Sequence, residues 1–119
     1  MDKWQAQQTY WGGFGLEAYN ALTVPDNAVM PYITYSPVNG SLNGTTVAMG
    51  SLWYKGRSWA TICQKTSIIE QLADREIKID GGAVKFRKPT SNFAQPMSDP
   101  NDENVRRMVL SVEVEFLSN

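Results

Sequence analysis

The C-terminal segment constrains this chain most. From Met108 to Leu117, Met108, Leu110, Val112, Val114 and Phe116 alternate with Val109, Ser111, Glu113, Glu115 and Leu117, a period of two. Only an extended strand puts every second side chain on one face. Five large apolar groups on that face require a sheet and a second layer to cover it. The 119 residues, 42% hydrophobic and 19% charged, suffice for one layered domain and are too few for two. A single domain over 1–119 is expected.

Upstream, Asp2 to Tyr10 is rich in Gln and Ala and carries Trp4, with Trp11 just after it; a short helix is predicted, stopped by Gly12, Gly13 and Gly15. Leu16 to Pro31 is irregular, with Pro25-Asp26-Asn27 as a turn and Pro31 as an extended entry. Tyr32-Ile33-Thr34-Tyr35 and Thr45 to Tyr54 are β-branched and aromatic; the turn signals Asn39-Gly40 and Asn43-Gly44 between them predict a hairpin. Ser58 stands as an N-cap before a helix. Behind it Trp59, Ile62, Cys63, Thr66, Ile69, Leu72 and Ala73 recur at three- and four-residue spacings and are expected to face a sheet.

Ile77 to Asp80 reads as a short extended piece, Gly81-Gly82 as a turn, and Ala83 to Lys88 as a strand with Val84 and Phe86 inward. Pro89 to Arg106 contains Pro89, Pro96, Pro100 and the acidic run Asp99 to Glu103, and reads as a loop long enough to be functional or mobile. The expected fold is α+β: a small, mostly antiparallel four-stranded sheet with helices packed on one face, in the order α-β-β-α-β-β.

The chemistry is narrowed by what is missing. With no His and only Cys63, the chain cannot build a Cys/His zinc site, an internal disulfide or an imidazole-based catalytic centre. Eleven Lys plus Arg against twelve Asp plus Glu give a net charge of -1, which argues against sequence-independent nucleic-acid binding. No apolar run approaches the roughly 20 residues that cross a bilayer. Met1 to Gln8 has no apolar signal core, so an intracellular, reducing setting and a free Cys63 are expected. Asn39-Gly40-Ser41 and Asn43-Gly44-Thr45 match the glycosylation tripeptide and read as turns.

The remaining motifs favour bland readings. Gly13-Phe14-Gly15-Leu16-Glu17-Ala18 matches the dinucleotide fingerprint, but a helix precedes it where a strand is needed. Asp99, Asn101 and Glu103 have calcium-loop spacing, yet the sixth position lacks Gly and Leu110 stands where the closing Glu belongs. Cys63, on the apolar side of its helix, reads as a buried small hydrophobe. Glu113 and Glu115, about 7 Å apart on one strand face, read as a solvated surface before an acid/base pair. Trp53, Tyr54 and Trp59 beside Lys55 and Arg57 resemble a stacking platform for single-stranded nucleic acid, although packing explains them better. No enzyme, metal or cofactor is expected.

One series of segments resembles a known family. Pro31-Tyr32-Ile33-Thr34-Tyr35; Gly50-Ser51-Leu52-Trp53-Tyr54 with Ser58-Trp59; Gly81-Gly82; Phe93-Ala94-Gln95 with Met97, Asp99 and Asp102; Arg106-Arg107; and Glu113-Val114-Glu115-Phe116-Leu117 are similar, in that order, to small minor capsid proteins of tailed phages and prophages. These in turn resemble the tail terminator, or tail completion, family of phages with long non-contractile tails. The resemblance implies a helix, hairpin, helix, hairpin order and a homo-hexameric ring in the virion neck, assembled in the host cytoplasm. It further implies three partners: further copies of itself, the tail tube protein and the head-tail connector protein, with DNA only passing through the lumen and no membrane. Trp53, Phe93, Gln95, Met97, Asp99, Asp102 and Arg106 are then expected at subunit or tube interfaces, with Phe93 and Met97 as apolar anchors. Glu113 and Glu115 are expected to face the lumen, where negative charge keeps DNA from sticking. A head completion or connector adaptor protein is the neighbouring alternative, and a small nucleic-acid-binding module is the alternative of another class.

Overall fold

The computed structural model of the protein describes residues 1–118. Two helices, α1 (Lys3–Gly12) and α2 (Ala60–Gln71), accompany seven strands. The strands are β1 (Ala18–Asn20), β2 (Tyr32–Tyr35), β3 (Thr45–Lys55), β4 (Arg75–Ile79), β5 (Gly82–Arg87), β6 (Ala94–Ser98) and β7 (Val105–Ser118). The class is α+β, as expected, but the sheet has seven strands and not four, is mixed and strongly curled, and the order is α-β-β-β-α-β-β-β-β.

β7 organises the sheet. On one side it pairs antiparallel with β3 from Val105 to Glu115; on the other, β6 covers Arg106 to Leu110 and β5 covers Glu113 to Ser118, end to end. β2 continues outward from β3 and β4 from β5, both antiparallel, and β1 adds to β2 in parallel. The predicted hairpin of Tyr32–Tyr35 with the following strand is present, with Tyr32 opposite Trp53 and Tyr35 opposite Gly50.

The alternation in β7 sets the two faces. Met108, Leu110, Val112, Val114 and Phe116 are all buried, and across the ladder they meet Leu52, Ala48, Val84 and Phe86. Both helices cover this face. α1 brings an aromatic cluster: Tyr10 stacks on Phe86 with ring centroids 3.9 Å apart and meets Trp11 and Phe14 edge-on. Trp11 lies so close to β3 that a Cβ at Gly50 would come within 2.8 Å of its ring, so only glycine fits there. A capping box starts α1, in which Asp2 accepts from the Gln5 amide and Gln5 accepts from the Asp2 amide. The buried Gln7 has its amide fully engaged: Nε2 donates to the Lys3 and Val38 carbonyls and Oε1 accepts from the Val38 amide. The helix is thereby fixed to the chain between β2 and β3.

α2 differs from its sequence reading in detail. Ile62, Thr66, Ile69 and the following Ala73 are buried, as expected, whereas Cys63 is exposed and Leu72 is 54% exposed. A single row at i, i+4, i+7 and i+11 meets the core. Cys63 and Leu72 flank that row, so Cys63 is not the buried small hydrophobe expected. Ser58 accepts from the Ala60 amide, one residue before the formal cap position Trp59.

Three strands exceed the four expected: β4 makes the short extended piece at Ile77 a full strand, and β1 and β6 lie where no strand was read. β1 lies within the irregular stretch, held by the Ile33 amide donating to Glu17 O and the Ala21 amide donating to Tyr35 O. β6 lies within the supposed loop Pro89 to Arg106. Among the described residues no helix is long and apolar enough to cross a membrane.

Candidate functional site

The helices cover one face of the sheet and leave the opposite face open. On that face Val47 is 56%, Met49 49% and Met97 43% exposed. Between them lie the half-buried Trp53, Arg107 and Val109. The register makes the patch continuous: Met97 stands opposite Arg107, which stands opposite Trp53, while Gln95, Val109 and Ser51 form the next row. The curled sheet also leaves a cavity of about 210 Å³, lined by Ala21, Thr34, Met49, Ser51, Arg107 and Val109 among others.

Of the residues singled out from sequence, Trp53, Gln95 and Met97 lie together here. Trp53 is fixed by its Nε1 donating to Thr34 Oγ1 at 2.9 Å and by the Arg107 guanidinium 4.8 Å from its ring centroid. Phe93 does not join them. It is 7% exposed, part of the chain's own core, and its carbonyl accepts from the Ser111 amide at 2.8 Å. The expectation that Phe93 is an exposed anchor is therefore corrected, and Met97 is the apolar side chain that β6 offers outward.

Arg106 points to the other side of β7 and works within the chain. Its guanidinium donates to Arg57 O at 2.7 and 3.0 Å and to Glu103 O at 2.7 Å, and it lies 5.2 Å from the Trp59 ring centroid. With Arg57 paired to Glu103 at 2.9 Å, it ties the β3–α2 connection to the turn before β7. This clamp engages most of the Arg106 donors within the chain. Asp99 and Asp102 shape that turn by accepting from the Asn101 and Asn104 amides, each at 2.9 Å. Among the described residues no group of three or more His, Cys, Asp or Glu is placed to hold a metal ion.

Glu113 and Glu115 lie at the far end of the open face. Arg87 Nη2 is 3.7 Å from Glu113 and 3.4 Å from Glu115, and Lys85 stands opposite Glu115 in register. Two carboxylates thus face two cations, a balanced quartet and not an acidic surface. Half-exposed pairs of this kind contribute at most about 1 kcal/mol to stability. Trp53 and Tyr54, as successive strand residues, point to opposite faces, and Trp59 sits with Arg106, so the aromatic residues form no common stacking platform. The glycine-rich segment from Gly13 follows α1 and leads into β1, not from a strand into a helix as phosphate binding requires.

Sequence reasoning missed Arg107. Its signal was its parity: it shares a face with Val109, Ser111, Glu113 and Glu115, whereas Arg106 does not. No family model matches the chain, and no curated protein matches it.

Proposed function

We propose that this chain is a structural protein of the neck of a tailed-phage particle. It associates with itself into a ring that caps the tail tube, ends tube growth and offers a surface to the head-tail connector. The sequence resemblance supplies the particle and the partners. The observation that carries self-association is the open face: Val47, Met49 and Met97 exposed on one continuous sheet surface around Trp53 and Val109. Clustered exposed apolar side chains mark interaction surfaces more often than bare solvent faces. A head-to-tail contact repeated around a closed axis covers such a face in every copy. Glu113 and Glu115 line the lumen in this reading, as part of a charge-balanced surface that offers passing DNA no excess of cations.

Native mass spectrometry of the purified chain tests the proposal. One closed oligomer of fixed stoichiometry is expected, six copies by the resemblance. A 13.3 kDa monomer at every concentration would contradict it.

A further inference from the structure

The open face carries a cation with no carboxylate partner among the described residues. Arg107 projects from β7 between Trp53 of β3 and Met97 of β6. Its Nε donates to Ser51 Oγ at 3.0 Å and its plane lies against the Trp53 ring. Arg57 and Arg87 have carboxylate partners, but among the described residues none lies within 4 Å of the Arg107 guanidinium. Half-burial and two fixed contacts hold the side chain in place. The terminal Nη1 and Nη2 groups are left as a preorganised fork, the geometry that takes a carboxylate or phosphate in two parallel hydrogen bonds. Arg107 also lines the cavity of about 210 Å³, so there is room for such a group beside it.

The surroundings favour a protein carboxylate over a phosphate. Met49, Met97 and Val109 border the fork with apolar surface, which suits a packed side chain better than a hydrated nucleic-acid backbone. The chain carries the complementary group. Among the described residues Asp99 and Asp102 accept only from backbone amides of their own turn, so each carboxylate keeps lone pairs for an arginine. That turn does not serve its own Arg107, whose side chain reaches to Ser51 on the neighbouring β3, away from the β6 strand that leads into the turn.

We propose that Arg107 is a carboxylate-receiving site filled by the Asp99–Glu103 turn of a second copy of this chain, the contact repeating head to tail. This rests on the self-association reading and names its contact. Light scattering across a concentration series, on variants verified as folded by circular dichroism, tests it. Arg107→Glu should weaken self-association at least tenfold, as should Arg107→Gln, which removes the charge and the guanidinium fork without introducing a repelling carboxylate. Asp99→Asn with Asp102→Asn, which preserves the turns, should do the same. Mixing the Arg107→Glu chain with a chain carrying Asp99→Lys and Asp102→Lys should restore assembly, because every heterotypic contact again pairs opposite charges. Wild-type assembly with unchanged variants would reject the site and leave the ring standing, whereas a monomeric wild type would remove both. Failure of the mixture, or variants that assemble normally but lose binding to duplex DNA, would overturn the assigned occupant.

Discussion

Tyr10 shows how much one side chain is asked to do in a chain with so few helices. Its ring stacks on Phe86 while its hydroxyl donates to Ala73 O at 2.8 Å, joining α1 to the end of α2 across 63 residues of sequence. Burial, with a smaller contribution from the Asp74 carboxylate, holds its ionisation well above the ordinary tyrosine range. The unfolded chain therefore releases this proton first as pH rises. Stability is fully present below about pH 10 and falls above it, because the unfolded state then binds fewer protons than the native one. Burial shifts Tyr35 and Tyr54 in the same direction. Tyr10→Phe should cost roughly 1–3 kcal/mol at pH 8 through the orphaned Ala73 carbonyl. It should also narrow the loss between pH 8 and pH 11. Urea midpoints at the two pH values measure both effects, and an unchanged alkaline loss would show that other groups carry it.

At the scale of elements, β5 and its turn make the sharpest test. Gly81 has φ +82°, with open space where a Cβ would go; Gly82 already belongs to β5, and its Cβ would lie 1.8 Å from the Leu117 carbonyl oxygen. Gly81→Ala should cost on the order of 1 kcal/mol of backbone strain. Gly82→Ala should cost more, about 1–3 kcal/mol, because backbone has to move. It should also raise hydrogen exchange in β5 and the end of β7, whereas equal and small effects would show that the pairing there is loose. Sequence had marked both glycines as a turn, a correct position with one physical reason where two operate.

The same contrast runs through the other elements. β7 was legible from its alternation, α1 from its composition and the glycines that stop it, and the β2–β3 hairpin from its β-branched residues and the turn signals between them, all of which are local. β1 was not, since three residues held by backbone bonds to β2 leave no pattern of their own. β6 was hidden by Pro96. The Ser111–Phe93 bond makes residues 93, 95 and 97 the ones bonded to β7, so the missing proline N–H falls on the free edge and costs no ladder bond. The open face was half legible. Trp53 and Met97 could be named from sequence, but Phe93 could not be separated from them until β6 had a register, and Arg107 could not be separated from Arg106 until β7 had two faces.

Over the whole molecule, β7 sets the shape. Its fourteen residues span roughly 46 Å at strand rise, which matches the longest dimension of 47 Å against 31 and 22 Å for the others. The two ends of that axis carry different chemistry: the Glu113, Glu115, Arg87 and Lys85 quartet at one, the Asp99–Glu103 turn at the other. Between them lies the apolar stretch with Arg107. With a net charge of -1, long-range attraction offers little help in assembly, and contacts depend on local complementarity of this kind. An elongated subunit with unlike ends and one uncovered face is suited to head-to-tail closure about an axis. The most direct measurement of the proposed capping role is electron microscopy of tailed-phage particles produced with and without this gene. The account predicts abnormally long tails without heads when the gene is absent. Normal infectious particles would contradict it, and tails of ordinary length left beside DNA-filled heads would contradict the capping role and assign the protein to joining alone.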